Sequence, residues 1–566
     1  MTDKVIQYIK KETDFIDLFL LGAFCAVGLF NDYLCLFSCA VLFAYLIYEI
    51  SRKKELRFFI NLSSAAVAVI AVFYFLSVLW AVDSGEAFLG AFRYLSSLLF
   101  MLIAMQKTKD FDSYFNKLPV FAVFMTVVSA ILSIISYTED LVEIAGRLCG
   151  FFQYSNTFAL FLLIAFIVTV TKEKFAVQDM IIVAVLLFGI IYSGSRTVFI
   201  LLVLSILAVI IFSKNKKLKL TVAITVAAAI IIAVIIAFAT DNFYSIGRFL
   251  TISFKESTFV GRLLYYSDAL PVILKHPFGM GYMGYYFTQP SFQSGVYSVL
   301  SVHNDFLQLM LDIGWVPALL FVSAIVKTFF TKNTSFRKRL LLIVICAHSC
   351  FDFDLQYIAM LMLLILLLNF KEGEEREIKV KKAAGISALA VLTAVCLYLG
   401  ISQTFSFAGK YEISTALYPL KTRDSIMLLI EETDVNKTEE LADKIIKQNE
   451  YVAVAYSAKA KIDFSKGDVL SMMENKDKAL ETAVFQYEEY FDYCNLLIHA
   501  VKLFSEAGDS SSAAFCAEKL IEIEEQLNSN SEKLSYFGKQ IKDQPTTQLP
   551  DDIHEYIAEL KNTLSL

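Results

Sequence analysis

Arg262 and His303 bracket a polar stretch in an otherwise strongly apolar chain. An arginine stays charged, and its planar fork takes phosphate oxygens in pairs. A neutral histidine titrates near working pH and can take a proton from an attacking hydroxyl. Arg147, Arg196 and Arg248 stand in other polar segments at the same side of the apolar runs. If a pyrophosphate is a leaving group, arginines around it stabilise the charge that develops as its bond breaks. A lipid pyrophosphate, its tail in a bilayer, is a natural ligand for such a set, and an acceptor hydroxyl is the natural substrate of the histidine. The same residues also have plainer uses. An arginine serves as a headgroup contact, and a histidine at a helix mouth caps it or bonds a backbone carbonyl.

The elements that must hold these residues are membrane helices. Hydrophobic residues make up 57% of the 566, with 50 phenylalanines, and mean hydropathy is +0.59. Soluble chains rarely reach such values, so the class is a polytopic membrane protein. Apolar runs of spanning length predict helices near 15–31, 33–50, 58–80, 86–105, 115–137, 150–171, 176–192, 197–213, 218–239, 304–327, 339–352, 355–370 and 383–405. The expectation is an all-α helical bundle of 12–13 transmembrane helices. With the N-terminus cytoplasmic, segments such as KVIQYIKK, SRKKELR and SKNKKLK fall inside, and the inside segments hold twenty-six Lys and Arg against six outside. Positive charge is retained in the cytoplasm. This orientation puts the loop 240–303, and everything after 405, outside the cell membrane. MTDKVIQYIKKETDF is too polar for a cleavable signal. Seven of the nine cysteines lie in or beside apolar segments, and no disulfide is expected between Cys494 and Cys516.

On that outer side positive charge is not called for by topology, so each arginine is informative. Arg196 sits in SGSRTVF, a tight turn between two spans, and Arg147 precedes GFFQYSNTFALF. Arg93 lies within a span, which is costly unless it is paired or faces a polar cavity. His303 and Gly314 are eleven residues apart, about three turns, so a continuous helix puts them on one face. Two motifs are discounted. Gly279-Met280-Gly281-Tyr282-Met283-Gly284 fits a dinucleotide fingerprint by letter but follows no strand, and close loop packing explains it better. His348 and Asp352, four apart, with Asp354 beyond, lack the ligands of a metal site and read as a hydrogen-bonded pair near the external site.

His303-Asn304, nine residues, then Gly314 resembles the signature of O-antigen ligases and the related polymerases. The position that closes that signature is usually Gly, Thr or Tyr and here is Pro317. Arg147 with Gly150 and Asn156 resembles the family's Arg-x-x-Gly…Asn element, and Ser195-Arg196 its Ser-Arg turn. Arg262, with His276-Pro277 and Gly279-x-Gly281, is similar to its large external loop. The resemblance covers about 140 to 370. It implies a GT-C-like, metal-independent glycosyltransferase without cofactor, moving glycan from an undecaprenyl-pyrophosphate-linked oligosaccharide donor to a glycan or glycolipid acceptor. Catalytic roles carry over to His303, Arg262 and Arg196, and substrate binding is assigned to Arg147, Asn156, Asn304 and Asp352. The implied setting is surface polysaccharide synthesis at the outer face, leaning to a polymerase or general polysaccharide ligase.

Residues 406–566 change character after the membrane domain 1–405. Two Gly-Asp turns, at 467 and 508, separate runs of small and aromatic residues. The pattern resembles degenerate tetratricopeptide hairpins, here an extracytoplasmic domain that stabilises the enzyme or binds acceptor glycan or an envelope protein. His499 and His554 show no obvious partner. No nucleic-acid partner is expected. Alternatives are a peptidoglycan polymerase of the cell-shape or division type, a flippase of lipid-linked oligosaccharide, and a non-catalytic scaffold. A flippase would place charge along a central path, whereas these charges cluster on one side.

Overall fold

A computed structural model describes residues 14–564 apart from 54, 108–111 and most of 213–255, where it describes 219, 223–224, 226–227, 231, 247–248, 253. The segment KVIQYIKK, most of the expected span at 218–239 and most of the loop from 240 to 255 lie outside the described residues. Eleven of the other twelve expected spans each overlap one α-helix of the bundle, the twelfth (304–327) differs, and the chain is an all-α polytopic membrane protein.

The bundle begins with α1 (Phe15–Cys25), α2 (Asp32–Lys53), α3 (Leu62–Ser77), α4 (Ser84–Met105) and α5 (Leu118–Leu132), and continues with α6 (Ser155–Val170), α7 (Val177–Ser193) and α8 (Arg196–Phe212). α6, SNTFALFLLIAFIVTV, is buried on nearly every face. A helix apolar all round belongs in the middle, and here it packs among α5, α7, α8 and later helices. α2, α4, the last bundle helix and a stretch including α5 are long and apolar enough to cross a bilayer alone. Shorter apolar helices fill the space between them.

The polar stretch after 255 is ordered. It carries α9 (Ser257–Lys275) and α10 (Gly284–Phe292). The expected single helix over 304–327 is instead two, α11 (Asp305–Ile313) and α12 (Trp315–Phe330), broken at Gly314. Gly314 has φ 85° and ψ −176°, a conformation open essentially to glycine alone. The end of α11 leaves backbone carbonyls without helical partners. The glycine-rich loop supplies them: Met280 N–H donates to Leu311 O (2.7 Å) and Gly281 N–H to Asp312 O (2.9 Å). A Cβ on Gly279 would stand 2.5 Å from the Asp312 backbone. Close approach is what these glycines provide, and Gly314 breaks a helix rather than sharing a face with His303.

α13 (Phe336–Ser349), α14 (Ile358–Leu367) and α15 (Lys382–Phe407) complete the bundle. α14 is wholly buried. α15 is apolar and largely exposed, with Gly400 letting it lie against Phe37 of α2. A short antiparallel pair joins β1 (Glu55–Ile60), between α2 and α3, to β4 (Glu374–Lys379), just before α15, and β2 (Glu143–Ile144) pairs with β3 (Arg147–Leu148).

After α15 the chain forms α16 (Tyr411–Leu417), α17 (Thr422–Glu431), α18 (Val435–Gln448), α19 (Ala453–Ser465), α20 (Val469–Thr482), α21 (Tyr487–Glu506), α22 (Ser510–Asn528) and α23 (Asp551–Leu564). Gly467 and Gly508 turn at positive φ, and Asp468 and Asp509 then cap α20 and α22 by accepting from Ser471 N–H (3.0 Å) and Ser512 N–H (3.1 Å). Cys494 and Cys516 are buried free thiols. His554, which shows no partner in the sequence, pairs with Glu524 at 2.6 Å.

This region is seated on the bundle. Arg423 donates to Glu86 (2.8 Å) and Asp32 (3.1 Å), Tyr418 to Gly85 O (2.9 Å) and Asn449 to Asp83 (3.2 Å). Further along, Val484 N–H donates to Pro290 O and Ser535 N–H to Ser294 O.

Candidate functional site

α7 ends at Ser193, and only Gly194 and Ser195 separate it from α8. Gly194 sits at φ 59°, and a Cβ there would come within 3.1 Å of the Arg248 side chain. That bare backbone lets several arginines gather. Arg147, on β3, donates from Nε to Ser193 O (2.7 Å). Arg248 donates from Nε to Gly194 O (3.1 Å). Arg196, the first residue of α8, donates to Arg248 O (2.9 Å) and pairs with Glu256.

These three, with Arg262 of α9 and His303, line a cavity of about 270 Å³. Tyr154, Asn156, Thr258 and Tyr265 add polar or aromatic wall. Four guanidiniums and no carboxylate among the lining residues make it a place for an anion.

Beneath the cavity lies Asp352, 1% exposed, in the turn after α13. Its Oδ2 accepts from Asn156 Nδ2 (2.7 Å) and Arg262 Nη2 (3.2 Å). Its Oδ1 accepts from Tyr154 O–H (2.8 Å) and faces His303 Nδ1 at 3.3 Å. Asn156 also accepts from Arg147 Nη2 (2.7 Å). One buried carboxylate thereby links Arg147, Asn156, Arg262 and His303. Burial is the largest single influence on Arg262 and works against its charge, but Asp352, Tyr154, Tyr266 and Asp354 together outweigh it and raise the guanidinium's pKa.

His303 is a rare non-glycine residue at positive φ, 55°. Tyr266 holds it there by donating to His303 O at 2.7 Å. Phe353 packs edge-on against its ring at 4.9 Å. With a neutral ring and Nδ1–H toward Asp352, Nε2 is left with its lone pair, the form of a general base.

The structure brings together Arg147, Asn156, Arg196, Arg262, His303 and Asp352. It places Asn304 elsewhere: its side chain caps α11 by accepting from Phe306 N–H and Leu307 N–H, and donates to Cys350 O (3.0 Å). Asp352, expected to bind substrate, supports the cavity from below. The expected pairing of His348 with Asp352 is replaced by a buried contact between His348 and Asp354. α13 ends at Ser349, so the four-residue helical spacing does not reach Asp352. Arg93, expected to be paired or to face a polar cavity, does both: it donates to Asp32 (2.9 Å) and lines a cavity with it. Tyr154, Tyr265 and Tyr266 were not singled out in the sequence. The signal available was spacing, since Tyr265 and Tyr266 follow Arg262 by three and four and share its helix face.

No curated protein matches the chain. Residues 181–322, which carry Arg196, Arg262 and His303 but not Arg147, Asn156 or Asp352, match the O-antigen ligase family model, and this similarity supports a membrane enzyme that transfers glycan in surface-polysaccharide synthesis.

Proposed function

We propose that the chain transfers glycan from an undecaprenyl-pyrophosphate-linked donor to an acceptor hydroxyl at the outer face of the cytoplasmic membrane. The observation that carries this reading is the Asp352 carboxylate, which holds His303 and Arg262 at 3.3 and 3.2 Å under a cavity ringed with arginines. The acceptor oxygen attacks the anomeric carbon of the donor sugar. Its proton passes to His303 Nε2, while the bond from that carbon to the pyrophosphate oxygen breaks. The lipid pyrophosphate leaves with the bonding electrons, and Arg147, Arg196, Arg248 and Arg262 receive its charge. Fixed guanidiniums do here what a metal ion does in other phosphate sites. Asp352 orients the imidazole and offsets the charge it gains.

In this reading the N-terminus is cytoplasmic, residues 1–405 form the membrane domain, and 406–566 form a tetratricopeptide-like domain on the outer side, open to an envelope partner. We favour polymerisation, or ligation to a general surface glycan. The test uses proteoliposomes supplied with lipid-pyrophosphate oligosaccharide, comparing wild type with Arg262→Ala and His303→Ala. Release of undecaprenyl pyrophosphate by wild type, lost in both folded variants, is the expected result, and product length then separates a polymer from a single transfer. Full activity in both variants sinks the proposal.

A further inference from the structure

A second cavity, of about 90 Å³, is walled in part by the same chain segment as the first. That is room for roughly six waters, the scale of one sugar ring. The segment before α11 walls both: Leu300 and Ser301 line the second cavity, and His303 the first. Two residues of chain span at most about 7 Å. Phe353 connects them again, its ring against His303 (4.9 Å) on one side and near Phe30 (6.2 Å), a lining residue, on the other.

The chemistry of this cavity differs from that of its neighbour. Arg93, 3% exposed, spreads its guanidinium between Asp32 Oδ1 (2.9 Å) and Gln356 O (2.8 Å), and lies over the rings of Tyr282 (5.4 Å) and Phe30 (5.7 Å). Arg423 reaches the other Asp32 oxygen at 3.1 Å. Tyr282 O–H donates to Asp32 at 3.2 Å, and Gln308 adds an amide. The two cations are offset by Asp32 and, behind Arg423, by the buried Glu86. A buried ionic cluster of this kind costs several kcal/mol per ion to desolvate and is weak evidence for stability alone. Charges nearly balanced, with paired donors and acceptors beside aromatic faces, suit a neutral ring bearing hydroxyls better than a phosphate. Arg423 belongs to α17, so the region after residue 405 completes this wall.

We infer that this cavity is a sugar subsite, holding one ring of a glycan next to the reacting centre, with its hydroxyls on Asp32, Arg93 and Arg423. The inference rests on the proposed transfer reaction for the position of that ring. The ring comes from the acceptor or from the donor glycan, and the experiment separates the two.

The experiment uses the full chain in nanodiscs, with the lipid-linked oligosaccharide extracted from source cells and the free oligosaccharide released from it by mild acid. Leu300→Trp, at the half-exposed rim, and Ser301→Trp fill the cavity. Both are expected to weaken binding of the free oligosaccharide at least tenfold in saturation-transfer NMR, with binding of undecaprenyl pyrophosphate unchanged as the check on folding. A matching rise in acceptor KM assigns the ring to the acceptor, and a rise in donor KM assigns it to the donor glycan. Oligosaccharide binding and both KM values unchanged in two folded variants overturn the subsite. A wild type that binds oligosaccharide at this cavity but transfers nothing overturns the reaction and leaves the subsite standing.

Discussion

His303 Nδ1 lies 3.3 Å from Asp352 Oδ1, while the other oxygen of that carboxylate takes Arg262 at 3.2 Å. The two residues that bracket the polar stretch are therefore set by a third, which is distant in sequence. Asp352→Asn keeps the shape and removes the charge. It leaves the His303 ring without an anion to offset the proton it takes, and Arg262 without its counter-ion. The expected outcome is a fall of about 10²-fold or more in kcat, the usual scale for losing a positioned base, read in single-turnover consumption of lipid donor. A kcat within threefold of wild type removes Asp352 from the mechanism.

The arginines predict a different kinetic signature. Phosphate oxygens are taken bidentately by a guanidinium and not by an ammonium. Arg196→Lys and Arg262→Lys keep the charge but lose the fork. A hydrogen bond to a charged group contributes about 1.5–3 kcal/mol, so each lysine variant is expected to bind undecaprenyl pyrophosphate tenfold more weakly or worse. Titration in nanodiscs measures this directly. Equal affinity in the lysine variants means that only net charge matters at this cavity.

Much of the bundle is legible because a bilayer demands apolar runs of set length, and the arginines stand out because the expected orientation calls for no positive charge where they fall. What could not be read depended on chain reversals. His348 and Asp352 are four apart, a helical spacing, but α13 stops at Ser349 and Asp354 takes the histidine. His303 and Gly314 are three turns apart only if the helix is continuous, and it is not. Asp352 meets Asn156 across 196 residues and Arg423 meets Glu86 across 337. No local pattern carries contacts of that kind. The signature makes Asn304 a substrate residue, but an asparagine before an apolar helix is also a strong cap, and its side chain takes that place here.

Gly314 tests the broken helix. A Cβ there would lie 2.2 Å from Pro277 O in a backbone conformation that side chains avoid. Strain of that type costs on the order of 1–3 kcal/mol before the clash is added. Gly314→Ala is expected to lower the yield of monodisperse protein and to loosen the 277–281 loop, which size-exclusion chromatography and hydrogen exchange would register. A variant with wild-type yield and exchange argues for a continuous helix after all.

Arg423 is the main ionic tie between the C-terminal helices and the bundle. Its loss strands Glu86, which is fully buried and accepts two hydrogen bonds from the Arg423 guanidinium. Breaking a buried pair by removing one partner typically costs 3–5 kcal/mol. Arg423→Ala is expected to expose the segment after α15 to protease at concentrations that spare wild type, while Arg423→Lys restores part of the protection. Unchanged cleavage in the alanine variant shows that the remaining contacts suffice to hold the region.

Asp83 gives this junction a pH dependence of known sign. It caps α4 by accepting from Glu86 N–H (3.0 Å), and it accepts from Asn449 Nδ2 on the C-terminal side (3.2 Å). Burial first, and the Glu86 charge second, push its carboxyl up to about 6 from the ordinary 3.8. The native state thus holds this proton more tightly than the unfolded chain does. Stability from this group is fully present below about pH 4 and declines as pH rises to about 6, by about 3 kcal/mol at most. Asparagine caps a helix as well as aspartate does and carries no charge to desolvate. Asp83→Asn is therefore expected to raise the melting temperature at pH 7 and to flatten its dependence on pH between 4 and 6.5. The measurement is thermal unfolding in detergent across that range, with limited proteolysis after α15 as a local readout. Parallel pH profiles for the two proteins would show that Asp83 is already charged at no cost, and that the junction tolerates a buried carboxylate through contacts other than Asn449.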